Sequence, residues 1–219
     1  MITDRQAKIL QEARDFVYAE LKDETSGHDW WHIVRVTNNA VEIAKQEQAD
    51  VFICELAALL HDIADGKLNE NEGVGLQKVK QWLQNHQASD EETAHVLEII
   101  ATMSFKGGHQ QKNVSTLEGK IVQDADRLDA IGAIGIARTM AYSGHIGRPI
   151  HDPDLQPREN MTLEEYRTGK SSAIMHFYEK LLKLKDMMNT AAAQKMAESR
   201  HRFLEEYLDQ FYAEWNAKK

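Results

Sequence analysis

The sequence predicts an all-α fold, a helical bundle in a single domain spanning residues 1–219, and three observations lead there. Its three prolines, Pro149, Pro153 and Pro157, all fall in one stretch. Because proline inside a helix costs about 3 kcal/mol, a chain that keeps it out of every other segment leaves helix open almost throughout. Apolar residues recur at three- and four-residue steps along most of the chain, the period of a helix face rather than of a strand. Ser, Thr or Asp stands repeatedly just ahead of such a run, in several places with Glu or Gln three residues on, the pairing that closes a helix N-terminus. A stack of parallel strands finds no support.

Taken in order, Thr3 and Gln6 have capping-box spacing ahead of Ile9, Leu10, Ala13, Phe16, Val17 and Leu21, which gives a first helix. Asp29 precedes Ile33, Val36, Ala40 and Ile43, a second. Val51 to Ile63 is apolar on nearly all sides, the pattern of a helix buried at the centre of a domain. Ser89 with Glu92 starts a helix carrying Val96, Ile99 and Ile100, and Ser115 with Glu118 starts one carrying Ile121 and Leu128. The proline stretch, about 144–160, reads as a long loop, and loops of that length are often functional. Beyond it a helix is expected from about Thr162 through Leu184, with a break near Gly169, and another from about Thr190 to Trp215. The short connection Met188-Asn189-Thr190 predicts that these two pack as an antiparallel pair. There is no internal repeat, low-complexity tract or linker.

Composition narrows the function classes. With 219 residues and 42% of them apolar, the chain can bury one sizeable core. Its lone cysteine, Cys54, can form no internal disulfide and sits in an apolar run, which suits a reducing compartment and predicts the cytoplasm. The N-terminus lacks the apolar core of a secretory signal, and no window approaches the roughly 20 apolar residues of a membrane span. A formal charge of −9 argues against a general nucleic-acid surface. It does not argue against a small anionic ligand, which responds to its own site and to any bound cation.

The residues that could carry chemistry are polar groups set where a core is expected. His61-Asp62 closes the apolar run, and a charged pair there must be satisfied, because a desolvated, unpaired charge costs several kcal/mol. Taken alone the pair reads as a cap or ion pair; a metal would satisfy both members. His28 and His32 stand four residues apart at the start of the second helix, with Arg35 a turn beyond His32. Asp124, Asp126 and Asp129 punctuate an apolar helix, and periodicity alone does not choose among them. Two histidines with two carboxylates make a mixed nitrogen and oxygen site suited to Mn²⁺, Fe²⁺, Co²⁺, Ni²⁺ or Zn²⁺ and less natural for Ca²⁺. Lys67 follows the pair closely beside Gly66 and is a phosphate candidate or an exposed lysine. Arg35 and Arg127 read as ion-pair partners, Trp30 and Trp31 as core anchors, and His109, His145, His151 and His201 receive no role. No glycine-rich phosphate loop is present.

The ordered set His32, His61-Asp62 and Asp126 resembles the HD-domain metal-dependent phosphohydrolases. The contexts Trp31-His32-Ile33-Val34-Arg35-Val36, Leu59-Leu60-His61-Asp62-Ile63-Ala64-Asp65 and Asp124-Ala125-Asp126-Arg127-Leu128-Asp129 are similar to a bacterial subgroup of small stand-alone members that includes a (deoxy)nucleoside triphosphate pyrophosphohydrolase. The run His176 to Leu184 resembles it too, so the likeness covers nearly the whole chain. The resemblance implies a helical bundle of the HD type, with His32, His61, Asp62 and Asp126 as metal ligands. It implies that Asp65 orients or deprotonates the attacking water, and it gives Lys180 a claim on the substrate. Met103 stands where some relatives have a histidine, which implies one metal rather than two.

The expected activity is hydrolysis of a nucleoside triphosphate to monophosphate and pyrophosphate. Rivals are a nucleoside 5′-monophosphatase or phosphodiesterase on the same metal centre, and a non-catalytic nucleotide-binding signalling protein. The expected partner is a small phosphorylated substrate, neither nucleic acid nor membrane, and a homodimer is compatible with the sequence.

Overall fold

A computed structural model describes residues 2–24, 29–65, 69, 71–103, 114–158 and 169–219. Among the described residues there is no strand, and the chain is all-α. They cluster in two compact units, one of the described residues up to 103 with 114–126, the other of those from 127 to 219. No helix among the described residues is long and apolar enough to cross a membrane.

In the first unit α1 (Asp4–Leu21) opens on the expected capping box, with Thr3 and Gln6 each accepting from the other's backbone N–H. Next come α2 (Trp30–Gln46) and α3 (Val51–Leu60), followed by a 3-10 turn, His61–Ala64. The remaining helices of this unit are α4 (Glu72–Asn85), α5 (Asp90–Met103) and α6 (Leu117–Asp129), the last of which continues past the boundary at Asp126. Helix α3 is the centre: every residue from Phe52 to Leu60 is buried, and α1, α2 and α5 pack around it. Each fully buried Leu or Ile there contributes about 1.5–3 kcal/mol. Asp50 starts it by accepting from the Phe52 and Ile53 N–H groups at 2.9 and 3.2 Å. Ser89 and Glu92 form the second expected box at 2.7 and 3.1 Å.

The third expected box is displaced. The Ser115 hydroxyl donates to Glu98 at 2.6 Å and Glu118 accepts from the Asp50 N–H at 3.1 Å, so tertiary partners outcompete the local pair. Thr116 takes over the cap, its hydroxyl accepting from the Gly119 N–H at 3.1 Å. Trp31 is not a core anchor: it is 65% exposed, on the face of α2 turned from the buried stripe of Ile33, Val36 and Ala40, while Trp30 sits edge-on to Tyr18.

The second unit holds α7 (Gly132–His145), α8 (Ala173–Glu179) and α9 (Ala191–Trp215). Helix α7 begins at Gly132, whose φ of +74° strains any L side chain and whose added Cβ would stand only 3.0 Å from the Arg200 side chain. It ends at Gly147 (φ +69°), with the Gly147 N–H on Gly144 O and the Arg148 N–H on Ser143 O, the paired bonds of a Schellman cap. The proline segment is tied down beyond it, since Pro149 O and Ile150 O accept from the Ala173 and Ile174 N–H groups at 2.9 and 3.0 Å.

Of the helix expected over 162–184, residues 162–168 lie outside the described residues, and from 169 on the chain forms the seven-residue α8 followed by 3-10 turns Leu181–Lys183 and Lys185–Met187. Lys180, at φ −138° and ψ −58°, leaves the helical basin and ends α8. Helix α9 packs chiefly on α7 rather than pairing along its length with the segment before it, although Phe177 and Tyr207 stack at 5.6 Å.

Candidate metal centre

The end of α3 explains how adjacent residues can serve one site. Leu60 (φ −94°, ψ −7°) ends the α-helix and the chain tightens into the 3-10 turn, where the side chains of His61 and Asp62 approach to 3.2 Å, Nε2 to Oδ1. His61 Nδ1 lies 2.8 Å from the Ala58 carbonyl, so Nδ1 carries a proton and donates it. In the neutral ring Nε2 is then a bare lone pair. It lies 3.2 Å from Asp62 Oδ1, yet it is buried and makes no hydrogen bond. Two acceptors facing each other in a dry site repel unless a cation lies between them.

Other helices complete the arrangement. Asp29 caps α2 by accepting from the His32 backbone N–H at 2.7 Å, which fixes His32 in the first turn. The Nε2 of His32 is 3.5 Å from Asp62 Oδ2 and 3.5 Å from Asp126 Oδ1, and its ring meets that of His61 at 71° with centroids 5.4 Å apart. Helix α6 is set against α2 by Asn39 Nδ2 on Ala125 O at 3.4 Å and against α5 by Gln123 Nε2 on Met103 O at 3.3 Å.

Ligand atoms of His32, His61 and Asp126 all lie within 4.8 Å of one another, and Asp62 joins through both histidines. Neighbouring ligands at about 2.1 Å from one ion sit roughly 3.0 Å apart, so separations of 3.2–3.5 Å need little closure. The histidines and Asp62 are buried, while the Asp126 side chain is 41% exposed and leaves one side open. Burial alone would lower the His61 pKa, but Asp62 first and then Asp126 hold it up, to about 9. A proton thus takes the place a metal would fill, and metal binding there would release it.

Of the three α6 acids left open by periodicity, Asp126 groups with His32 and His61, its Oδ1 lying 3.5 Å from His32 Nε2. Asp129 is buried against Arg138 at 2.9 Å, and Asp124 is fully buried with partners of its own. Asp65 is half-buried and is the first residue beyond the turn; its backbone is extended, its N–H donates to Asp62 O at 3.0 Å, and its carbonyl accepts from Asn69 Nδ2 at 2.9 Å. Asn69 also donates to Ile63 O at 2.8 Å, a double clamp that nothing in the local sequence signals. His28 and Lys67 lie outside the described residues. Lys180 belongs to the second unit, where it and Arg148 help depress the pKa of buried His176 to about 3, after burial itself. Met103 is buried, and Cys54 is a buried thiol whose pKa burial pushes up.

A helical protein with two histidines and two aspartates converging from three helical segments has the architecture of an HD-type metal centre. The chain matches the HD domain over residues 30–131, a span that contains all four residues. It is 40% identical to YpgQ of Bacillus subtilis over 207 residues, 94% of this chain and 93% of that one. Among solved structures, an HD-superfamily hydrolase of Bacillus thuringiensis is 49% identical with TM-score 0.78, covering 97% of this chain and 99% of that one. A Lactobacillus plantarum protein is 41% identical with TM-score 0.83, covering 99% and 100%. YpgQ in complex with ADP is 40% identical with TM-score 0.76, covering 94% and 97%. The chain belongs to the HD-domain family and is a metal-dependent phosphohydrolase of the HD superfamily.

Proposed function

We propose that this protein hydrolyses (deoxy)nucleoside triphosphates to nucleoside monophosphate and pyrophosphate, using one divalent ion, Mn²⁺ by preference, held by His32, His61, Asp62 and Asp126. The observation that carries the metal assignment is the buried, bondless Nε2 of His61 facing Asp62. A bound ion supplies a Lewis acid for a phosphoryl oxygen and lowers the pKa of water toward neutrality. The protein's share is positional: the Ala58 carbonyl fixes the His61 tautomer, Asp29 fixes His32, and Asn69 holds the backbone that presents Asp65. Asp65 then orients the attacking water and takes its proton. The ADP complex of YpgQ supports a nucleotide substrate.

A triphosphate carries about four negative charges, more than one divalent ion offsets, and Lys67 and Lys180 are the candidates for the remainder. Lys67→Ala is expected to lower kcat/KM for a nucleoside triphosphate more than for an aryl monophosphate. Chromatography of products from a nucleotide panel with Mn²⁺ tests the whole reading. Monophosphate with pyrophosphate supports it; consumption of monophosphates while triphosphates stay inert replaces it with a 5′-monophosphatase.

A further inference from the structure

The second unit contains a cleft of about 340 Å³ between the proline segment, α8 and the end of α9, and none of its lining residues belongs to the metal cluster. We propose that this cleft is a binding site for a neutral nucleoside base, a function independent of the hydrolytic reading. Its walls carry four rings, His151, Tyr178, Tyr212 and Trp215. The His151 ring stands edge-on to Trp215 at 4.7 Å and to Tyr212 at 5.5 Å, and Trp215, stacked on Phe211 at 6.0 Å, is 53% exposed. An indole left half in water beside a concavity suits a planar ring that stacks on it.

The polar groups select the ligand class. Among the described residues no Lys, Arg, Asp or Glu lines the cleft, so these walls offer a phosphate no cation and an ammonium no carboxylate. Tyr178 stays neutral, its pKa raised to about 12 by burial and by its hydrogen bond with Tyr212. What the walls offer instead are the amides of Gln156 and Asn216, which carry the donor and acceptor chemistry that reads a purine edge. Asn216 spends its Nδ2 on Tyr212 O at 2.8 Å, and its carbonyl oxygen is the group it can present. His151 adds a buried Nδ1 with no hydrogen-bond partner, an unmet polar group of the kind that a bound ligand satisfies.

The walls are also set before any ligand arrives. Backbone bonds from Ala173 and Ile174 to Pro149 and Ile150 fix the strand of chain leading to His151. Around Pro153 the turn is closed by Leu155 N–H on Asp152 O at 3.2 Å and Asp154 N–H on Asp152 Oδ1 at 3.0 Å. A preorganised cleft binds without first ordering its own chain.

Adenosine, which has no phosphate to engage a metal centre, is the probe. Calorimetric titration of the full-length, Mn²⁺-loaded protein is expected to show saturable binding. Trp215→Ala should weaken it about tenfold or more, the loss typical of a base-stacking ring, while Trp215→Phe should keep most of it. Gln156→Ala, on an exposed segment where folding is not at risk, should weaken it several-fold. Asp62→Ala should leave it unchanged. No binding of adenosine, equal binding by wild type and both Trp215→Ala and Gln156→Ala, or loss of binding in Asp62→Ala would each overturn the proposal.

Discussion

Glu179 and His61 are both buried ionisable side chains at the ends of helices, and they meet opposite surroundings. Burial alone would raise the Glu179 pKa, but Arg158 donates to it through Nε at 2.8 Å and Nη2 at 3.1 Å, the Ser171 hydroxyl adds a bond at 3.1 Å, and the result is a pKa below the ordinary carboxylate value. That cluster closes within the chain. His61 closes only on one side, at Ala58, and its other nitrogen faces a carboxylate without a bond. Burying either group costs energy; the first is offset during folding, whereas the second is left for a proton or a metal ion. The difference between the two clusters separates an ion pair that stabilises a fold from a centre that binds something.

Substitutions sharpen this contrast. The largest effect is expected for His61→Ala, which should abolish hydrolysis of every phosphate substrate, as read by phosphate or pyrophosphate release, with the helical circular dichroism signal kept. Asp65→Asn keeps its shape and loses its base, so kcat should fall by roughly 10²–10⁴ with metal content near that of wild type. An unchanged kcat would move the role to another acid.

Glu179→Ala should behave in the opposite way. It removes the carboxylate that Arg158 pairs with and costs about 3 kcal/mol, a drop of roughly 6–12 °C in melting temperature, with the metal-to-chain ratio retained. If it emptied the metal centre instead, the two clusters would not be independent. The smallest effect is expected at the Arg5–Glu92 pair on the first unit's surface, where hydrogen bonds from Arg5 hold the Glu92 carboxyl at about 2 against an ordinary 4.5. A depressed carboxyl stabilises the fold above its unfolded pKa and loses that contribution as pH falls from about 4.5 toward 2. Half-exposed Arg5 is screened by solvent, so Glu92→Gln should cost about 1 kcal/mol at neutral pH and nothing below pH 2, measured by urea denaturation.

Much of this molecule was legible in its sequence where the signal is local. Thr3 with Gln6, Asp29, and Ser89 with Glu92 mark helix starts because their bonds are made within a few residues. Ser115 misleads because its hydroxyl prefers Glu98, seventeen positions away, and no local pattern encodes that choice. The helix expected to run on to Leu184 stops at Glu179 where tertiary bonds tie that residue to Arg158 and Lys180 leaves the helical basin beside it. The metal cluster was legible as a family pattern, yet the spacing of Asp124, Asp126 and Asp129 did not choose the acid that groups with His32 and His61. Neither Asn69 nor the unmet His61 Nε2 has any one-dimensional signature, since both depend on where the chain goes after the 3-10 turn.

The four-residue metal centre is open to direct measurement by elemental analysis of the purified protein after Mn²⁺ loading and removal of free ion, with wild type and Asp62→Ala measured together. The wild type is expected to hold about one ion per chain and Asp62→Ala almost none, with hydrolysis lost in step. Full metal occupancy in Asp62→Ala would contradict this assignment, because the cluster of His32, His61, Asp62 and Asp126 would then not be what holds the ion.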